Sequence, residues 1–159
     1  MIGEHLDLTA LKVLVVDDNA NMRNLIAEVL RCLGVHKVFK VDSAQAGRMM
    51  LQAGGIDLVF ADIEMAGENG VEFVRQVRAS PSPRIANVVI VMVSAHATET
   101  RVMEAGAAGA NSFLVKPFSV SAFARRLAEA FANRRMMLQA AQRRTPAHWP
   151  VPGGKPVEV

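Results

Sequence analysis

The fold this sequence predicts is α/β: a doubly wound, five-stranded parallel sheet with an extended C-terminal helix and a flexible tail. Three observations predict it. Short β-branched runs, Lys12-Val-Leu-Val-Val, Asp57-Leu-Val-Phe-Ala, Val88-Val-Ile-Val-Met-Val and Asn111-Ser-Phe-Leu-Val, alternate with stretches of helical apolar period. The runs are almost continuously hydrophobic, as strands covered on both faces are. Each is followed at once by a polar group: Asp17-Asp18, Asp62, Ser94 and Lys116-Pro117. In a parallel sheet such strand ends open onto one edge, where ligands bind.

The elements follow in order. Residues 1–10 form an N-terminal extension, and the first strand is Lys12 to Asp17. Met22, Leu25, Ile26, Val29 and Leu33 give a helical period over Asn19 to Leu33, closed by Gly34 at the cap position. Cys32, the only cysteine, falls on an apolar face of that helix and can form neither an internal disulfide nor a metal cluster. Val35 to Val41 is the second strand. Ser43 caps a helix through about Gln52, ended by Gly54-Gly55. The third strand ends at Asp62, Glu64 to Gly70 is a loop, and Val71 to Val77 is helical until Ser80-Pro-Ser-Pro83 stops it. A strand at Val88 to Val93, a helix at Thr98 to Ala105 and a strand at Asn111 to Val115 follow, with right-handed crossovers. Ser119 caps a last helix whose apolar positions Phe123, Leu127, Phe131 and Leu138 run past the length that closing a domain requires. From Thr145 onward, Pro146, Pro150, Pro152, Gly153, Gly154 and Pro156 deny both helix and strand.

Composition bounds the class. An apolar content of 51% in 159 residues is enough for a real core. No apolar run approaches the ~18 residues of a membrane span, and Met-Ile-Gly-Glu-His-Leu-Asp lacks the features of a signal peptide, so the expected location is cytoplasmic. Charge is uneven. From Arg125 onward six arginines and Lys155 stand against Glu129 and Glu158, a net +5; the preceding 124 residues hold 11 basic and 13 acidic groups, a net −2. A mildly acidic domain over 11–132 with a basic, Arg-rich then Pro/Gly-rich tail over 133–159 is a two-function layout. The 28 residues beyond Phe131 are too few for a second core, so neither a DNA-binding nor an enzymatic output domain is expected. Output must then be binding.

The polar groups at the strand ends specify chemistry. Magnesium takes six oxygens and is usually held by one or two carboxylates, waters and a substrate phosphate. Asp17, Asp18 and Asp62 supply carboxylates, Lys116 a compact cation for a phosphoryl oxygen, and Ser94 a hydrogen-bond donor for another. A carboxylate attacking phosphorus forms an acyl phosphate. Any one of these acids alone reads as a strand-end cap; the five residues together at consecutive strand ends do not.

The segments Val-Leu-Val-Val-Asp17-Asp18, Asp62-Ile-Glu-Met, Met-Val-Ser94-Ala and Phe113-Leu-Val-Lys116-Pro117-Phe resemble the receiver domain of response regulators, the CheY-like fold, from about Leu11 to about Phe131. The resemblance implies a non-enzymatic switch of two-component signalling. Asp62 would be the phosphoacceptor, and Asp18 and Asp62 direct magnesium ligands together with the Glu64 carbonyl. Asp17 would act mainly through water, with Ser94 and Phe113 as the switch pair. It also implies a cis Lys116-Pro117 bond and a histidine kinase or phosphotransfer protein as partner. The chain departs from the family at Ala66, where proline is frequent, in the Pro81 and Pro83 loop, and at Ser94 in place of threonine. Glu64 and His96 match positions that tune phosphoryl lifetime. The competing class, an aspartyl-nucleophile phosphatase of the haloacid dehalogenase type, spaces its acids as Asp-x-Asp, whereas here they read Asp17-Asp18-Asn19.

The tail carries its own signal. Arg134, Arg135, Arg143, Arg144, His148 and Trp149 combine arginine forks, which read guanine edges and grip phosphate, with rings that stack. That set suits a small guanine dinucleotide, and equally a solubilising helix end with a frayed terminus. It is similar to the Cle branch of CheY-like proteins, which implies cyclic di-GMP as regulatory ligand and the flagellar motor switch as partner. A nucleic-acid arm, a membrane-surface contact and a phosphorelay adaptor without nucleotide binding are the other readings.

Overall fold

The computed structural model describes residues 6–142, 148–149 and 157–158. After a 3-10 turn at Leu8–Ala10 come β1 (Lys12–Val16), α1 (Ala20–Cys32), β2 (Lys37–Val41), α2 (Ala44–Ala53), β3 (Leu58–Asp62), α3 (Gly70–Arg78) and α4 (Pro83–Ala86). Then follow β4 (Val89–Ser94), α5 (Glu99–Ala108), β5 (Ser112–Val115) and α6 (Val120–Gln142), with a small pair β6 (His148–Trp149) and β7 (Val157–Glu158). The main sheet is parallel in the order β2-β1-β3-β4-β5. The register puts Asp62 beside Val93 and Ser94 beside Val115, so Asp17, Asp62, Ser94 and Lys116 all leave the same edge. The strand order reverses between β1 and β3, the place in such a sheet where ligands bind.

Alternation along each strand divides the core into two layers. Leu14, Val16, Val59, Ala61, Ile90, Met92 and Phe113 meet α2, α3 and α5. Val13, Val15, Leu58, Phe60, Val91 and Leu114 meet α1 and α6, where Phe60 stacks on Phe123 with ring centroids 4.8 Å apart. Ser43 and Ser119 cap their helices as the sequence predicts, and Asn19 and Thr98, where two further helices are expected to begin, are caps as well. Asn19, Ser43, Thr98 and Ser119 each accept from a backbone amide three residues on. Gly34 takes φ +103° while Val35 N–H reaches the Leu30 carbonyl, the left-handed ending that glycine permits.

Five expectations are corrected. Cys32 is exposed: the buried stripe of α1 is Ile26, Ala27, Val29 and Leu30, and Cys32 lies about 200° around the helix from Leu30. Leu25 is 47% exposed for the same reason, because the stripe is narrower than the apolar spacing implies. β2 is an edge strand with Lys37 and Lys40 outward rather than a strand covered on both faces; charged residues suit such an edge. The Pro81–Pro83 segment is not all loop, since Pro83 opens the short α4, proline being at ease in a first helical turn. Past Thr145 strand pairing does occur: His148 stands opposite Glu158 and Trp149 opposite Val157, with Gly153-Gly154 between them in sequence. Arg143 and Arg144 lie outside the described residues.

Candidate functional site: the acidic pocket at the sheet edge

β1 ends so that Asp17 is buried and Asp18 exposed, and β3 delivers Asp62 beside them. One oxygen from each of the three carboxylates lies within 4.8 Å of the others. Backbone contacts fix the walls. Asp17 Oδ1 accepts from Asn19 N at 2.8 Å, and its carbonyl accepts from Arg23 at 2.6 Å. Asp18 Oδ2 accepts from Ala66 N at 2.8 Å and ties the loop after β3 to β1. Asp62 Oδ1 accepts from Glu64 N at 3.1 Å.

The cation comes from beyond β5. The Lys116-Pro117 peptide is cis, and the Lys116 amide donates to the Ser94 carbonyl at 2.9 Å. Lys116 Nζ lies 3.1 Å from Asp62 Oδ2 and 3.5 Å from Asp17 Oδ2. Asp17 Oδ2 is buried and has no hydrogen-bond partner. One lysine against three carboxylates leaves the pocket short of positive charge. Burial, foremost, pushes the Asp62 carboxyl up to about 7, with the Asp17 charge and Glu64 adding to the rise and Lys116 opposing it. The orphaned oxygen and the excess of hard oxygen donors fit a divalent cation such as magnesium.

Around the rim, Glu64 Oε1 accepts from the buried Ser94 hydroxyl at 2.5 Å and from Arg101 at 3.1 Å, with His96 Nδ1 at 3.4 Å. Burial acts to raise the Glu64 carboxyl, but the hydrogen bonds from Ser94 and its other partners outweigh it and leave it lowered. Phe113 is buried among Met92, Ala61 and Ile63, one strand from Ser94. Three contributors carry no local sequence signal: Arg23, Arg101 and Gly70. A Cβ at Gly70 would overlap the Asp62 carbonyl oxygen, and its amide donates to the Ile63 carbonyl at 2.9 Å. The helix start of α3 therefore sits directly against the strand end that carries Asp62.

Arg134 and Arg135 lie on α6 and border a cavity of about 690 Å³ with Leu6, Asp7, Phe131 and Leu138. His148 and Trp149 belong to the β6–β7 pairing.

A doubly wound parallel sheet with acids at the ends of β1 and β3, a hydroxyl on β4 and a lysine after β5 defines a class of phosphoryl-accepting regulators. The chain belongs to the response regulator receiver domain family, whose profile matches residues 13–128. It is 33% identical over 121 residues to the chemotaxis protein CheY of Pseudomonas aeruginosa, spanning 76% of this chain and 96% of that protein. Against CheY-3 of Vibrio cholerae it is 31% identical over 121 residues, 76% of this chain and 92% of the other. Among solved structures, the chemotaxis response regulator CheY4 of Vibrio cholerae superposes with a TM-score of 0.70 at 27% identity, covering 77% of this chain and 99% of that one. Among the described residues no helix is long and apolar enough to cross a membrane.

Proposed function

We propose that residues 11–132 are a phosphorylation switch for chemotaxis signalling, with Asp62 the phosphoacceptor. The observation that carries this reading is the Asp62 carboxylate held 3.1 Å from Lys116 Nζ inside a cluster of three acids. A histidine kinase or phosphotransfer protein supplies the phosphoryl group. An Asp62 oxygen bonds to phosphorus as the phosphorus–nitrogen bond of phosphohistidine breaks, and the nitrogen keeps the electron pair. Asp17, Asp18, Asp62 and the Glu64 carbonyl would hold magnesium, which when bound offsets negative charge on the phosphoryl oxygens. Lys116 takes one phosphoryl oxygen. Ser94 leaves Glu64 to donate to another, and Phe113 repacks behind it as the two-state element. The chain acts by binding partners in the cytoplasm rather than as an enzyme. The test is phosphorylation by acetyl phosphate with and without magnesium, read by intact mass. A gain of one phosphoryl group in wild type and none in Asp62→Asn is the expected result; equal gain in both overturns the reading.

We further propose that the tail takes cyclic di-GMP and that the flagellar motor switch is the partner so regulated. What supports it is the chemistry of Arg134, Arg135, Arg143, Arg144, His148 and Trp149, set on and beyond a helix that outruns the receiver fold. A calorimetric titration with cyclic di-GMP, on the full chain and on a truncation before Arg134, tests it. Saturable binding to the first alone is expected. Without nucleotide binding the chain is a phosphorelay adaptor.

A further inference from the structure

A second cleft lies at the opposite edge of the sheet. The residues just before β1, β3 and β4, among them Leu11, Asp57 and Val88, floor a cleft of about 430 Å³ between α4 and α6. It is one strand away from Asp62, roughly 16 Å for a five-residue strand such as β3. Arg84 enters it from α4 and Arg134 from α6, next to Phe131. Neither arginine has a carboxylate within ion-pair reach among the described residues. Arg134 Nε is buried and lacks any hydrogen-bond partner.

A third cation stands behind them. Arg78 spends its guanidinium on neutral acceptors only: Gly109 O at 2.8 Å, Ala86 O at 2.8 Å, Val88 O at 2.6 Å and Asn111 Oδ1 at 2.8 Å. Burial, and then the charge of Arg134, pulls it down to about 10. Two cations therefore lie near one another, with no carboxylate paired to either among the described residues. The one acid in the lining, Asp57, is turned to β1, where its Oδ2 accepts from Lys12 N at 2.9 Å. An unpartnered buried guanidinium nitrogen is costly, and planar guanidinium forks match phosphate oxygens. The volume suits a nucleotide-sized molecule rather than a helix.

We propose that this cleft binds a small phosphate-bearing anion, gripped by Arg84 from α4 and Arg134 from α6 alongside Phe131. Such a ligand bridges the β3–β4 side of the domain to the projecting half of α6. The site shares Arg134 with the tail reading but needs no residue beyond it, and it is separate from Asp62, since it lies at the far edge.

The test uses the full chain without magnesium and inorganic pyrophosphate as the probe, following arginine Nε–Hε resonances. Saturable displacement of the Arg134 resonance is expected. Arg84→Gln and Arg134→Gln should each weaken binding about tenfold or more, the scale of one lost bidentate contact. Neither side chain has a hydrogen bond or ion pair among the described residues, so neither substitution breaks one. Lys116→Ala and the double substitution Arg143→Ala with Arg144→Ala should leave the titration unchanged. A linear, non-saturating drift, equal binding by Arg84→Gln, or loss of binding on changing Lys116 or the tail arginines would each overturn the proposal. Failure of cyclic di-GMP to bind would overturn the tail reading and leave this one standing.

Discussion

Asp62 is the residue at which stability and function pull apart. Its carboxyl is pushed up to about 7 in the folded pocket, from 3.8 in the open chain. Because the folded state then binds the extra proton between those values, the contribution to stability is fully present below about pH 4 and is lost as pH rises to about 7. The swing is on the order of 4 kcal/mol. Asp62→Asn removes it. In a chelator, urea midpoints should show the variant more stable than wild type by roughly 2–4 kcal/mol at pH 8, with the difference closing near pH 4. A difference independent of pH would show that the acidic cluster does not strain the fold. Glu64 offers a second measurement. Its carboxylate adds negative charge beside an incoming phosphodonor and occupies the Ser94 hydroxyl. Glu64→Ala should accelerate phosphorylation by acetyl phosphate about fivefold, the effect of removing roughly 1 kcal/mol of like-charge repulsion. The acids, Ser94 and Lys116 were legible in the sequence because a strand end is a local feature. Arg101 was not: its partner Glu64 lies 37 positions away, and only the turn of α5 against the pocket brings them together.

At the scale of elements, legibility follows the range of the interaction. The side chains of Asn19, Ser43, Thr98 and Ser119 bond within three residues, so the helix starts could be placed from sequence. α4 could not, because four residues give no period and its place depends on Arg78, which joins Ala86, Val88, Gly109 and Asn111 across up to 33 positions. Arg78→Ala should therefore destabilise by about 3–5 kcal/mol, since four acceptors lose their donor at once. Thermal or urea unfolding checks it, and a loss below about 1 kcal/mol would mean that water replaces the guanidinium. The α3 start gives a further case. Gly70→Ala sets a methyl against the Asp62 carbonyl, a backbone atom that cannot swing away. The expected cost is about 1–3 kcal/mol, together with weaker magnesium binding, because relief requires the strand end carrying Asp62 to move. Gly47→Ala is the control: the nearest atoms to its new Cβ belong to the Val16 and Phe73 side chains, at 3.1 and 3.3 Å, and not to the backbone. It should leave magnesium affinity unchanged.

The whole molecule is polarised twice: acidic pocket against basic cleft across the sheet, and acidic domain against basic tail along the chain. α6 carries both contrasts. Its buried residues Phe123, Leu127 and Ala130 close the β-sheet layer, and Asn133 donates to the carbonyl of Asn111, just before β5, at 2.7 Å. Beyond that, Asn111 Nδ2 reaches Met137 Sδ at 3.7 Å, a weak acceptor at long range. The helix thus changes role near Asn133, from a core element to a carrier of arginines. Ending the chain after Asn133 should leave a cooperatively folded receiver, within about 1 kcal/mol of the full chain in urea. That fragment should accept a phosphoryl group on Asp62 at the full-chain rate while binding neither cyclic di-GMP nor pyrophosphate. Loss of cooperative unfolding would place the domain boundary further along α6. Retained pyrophosphate binding would remove Arg134 from the cleft's chemistry and leave the binding to Arg84.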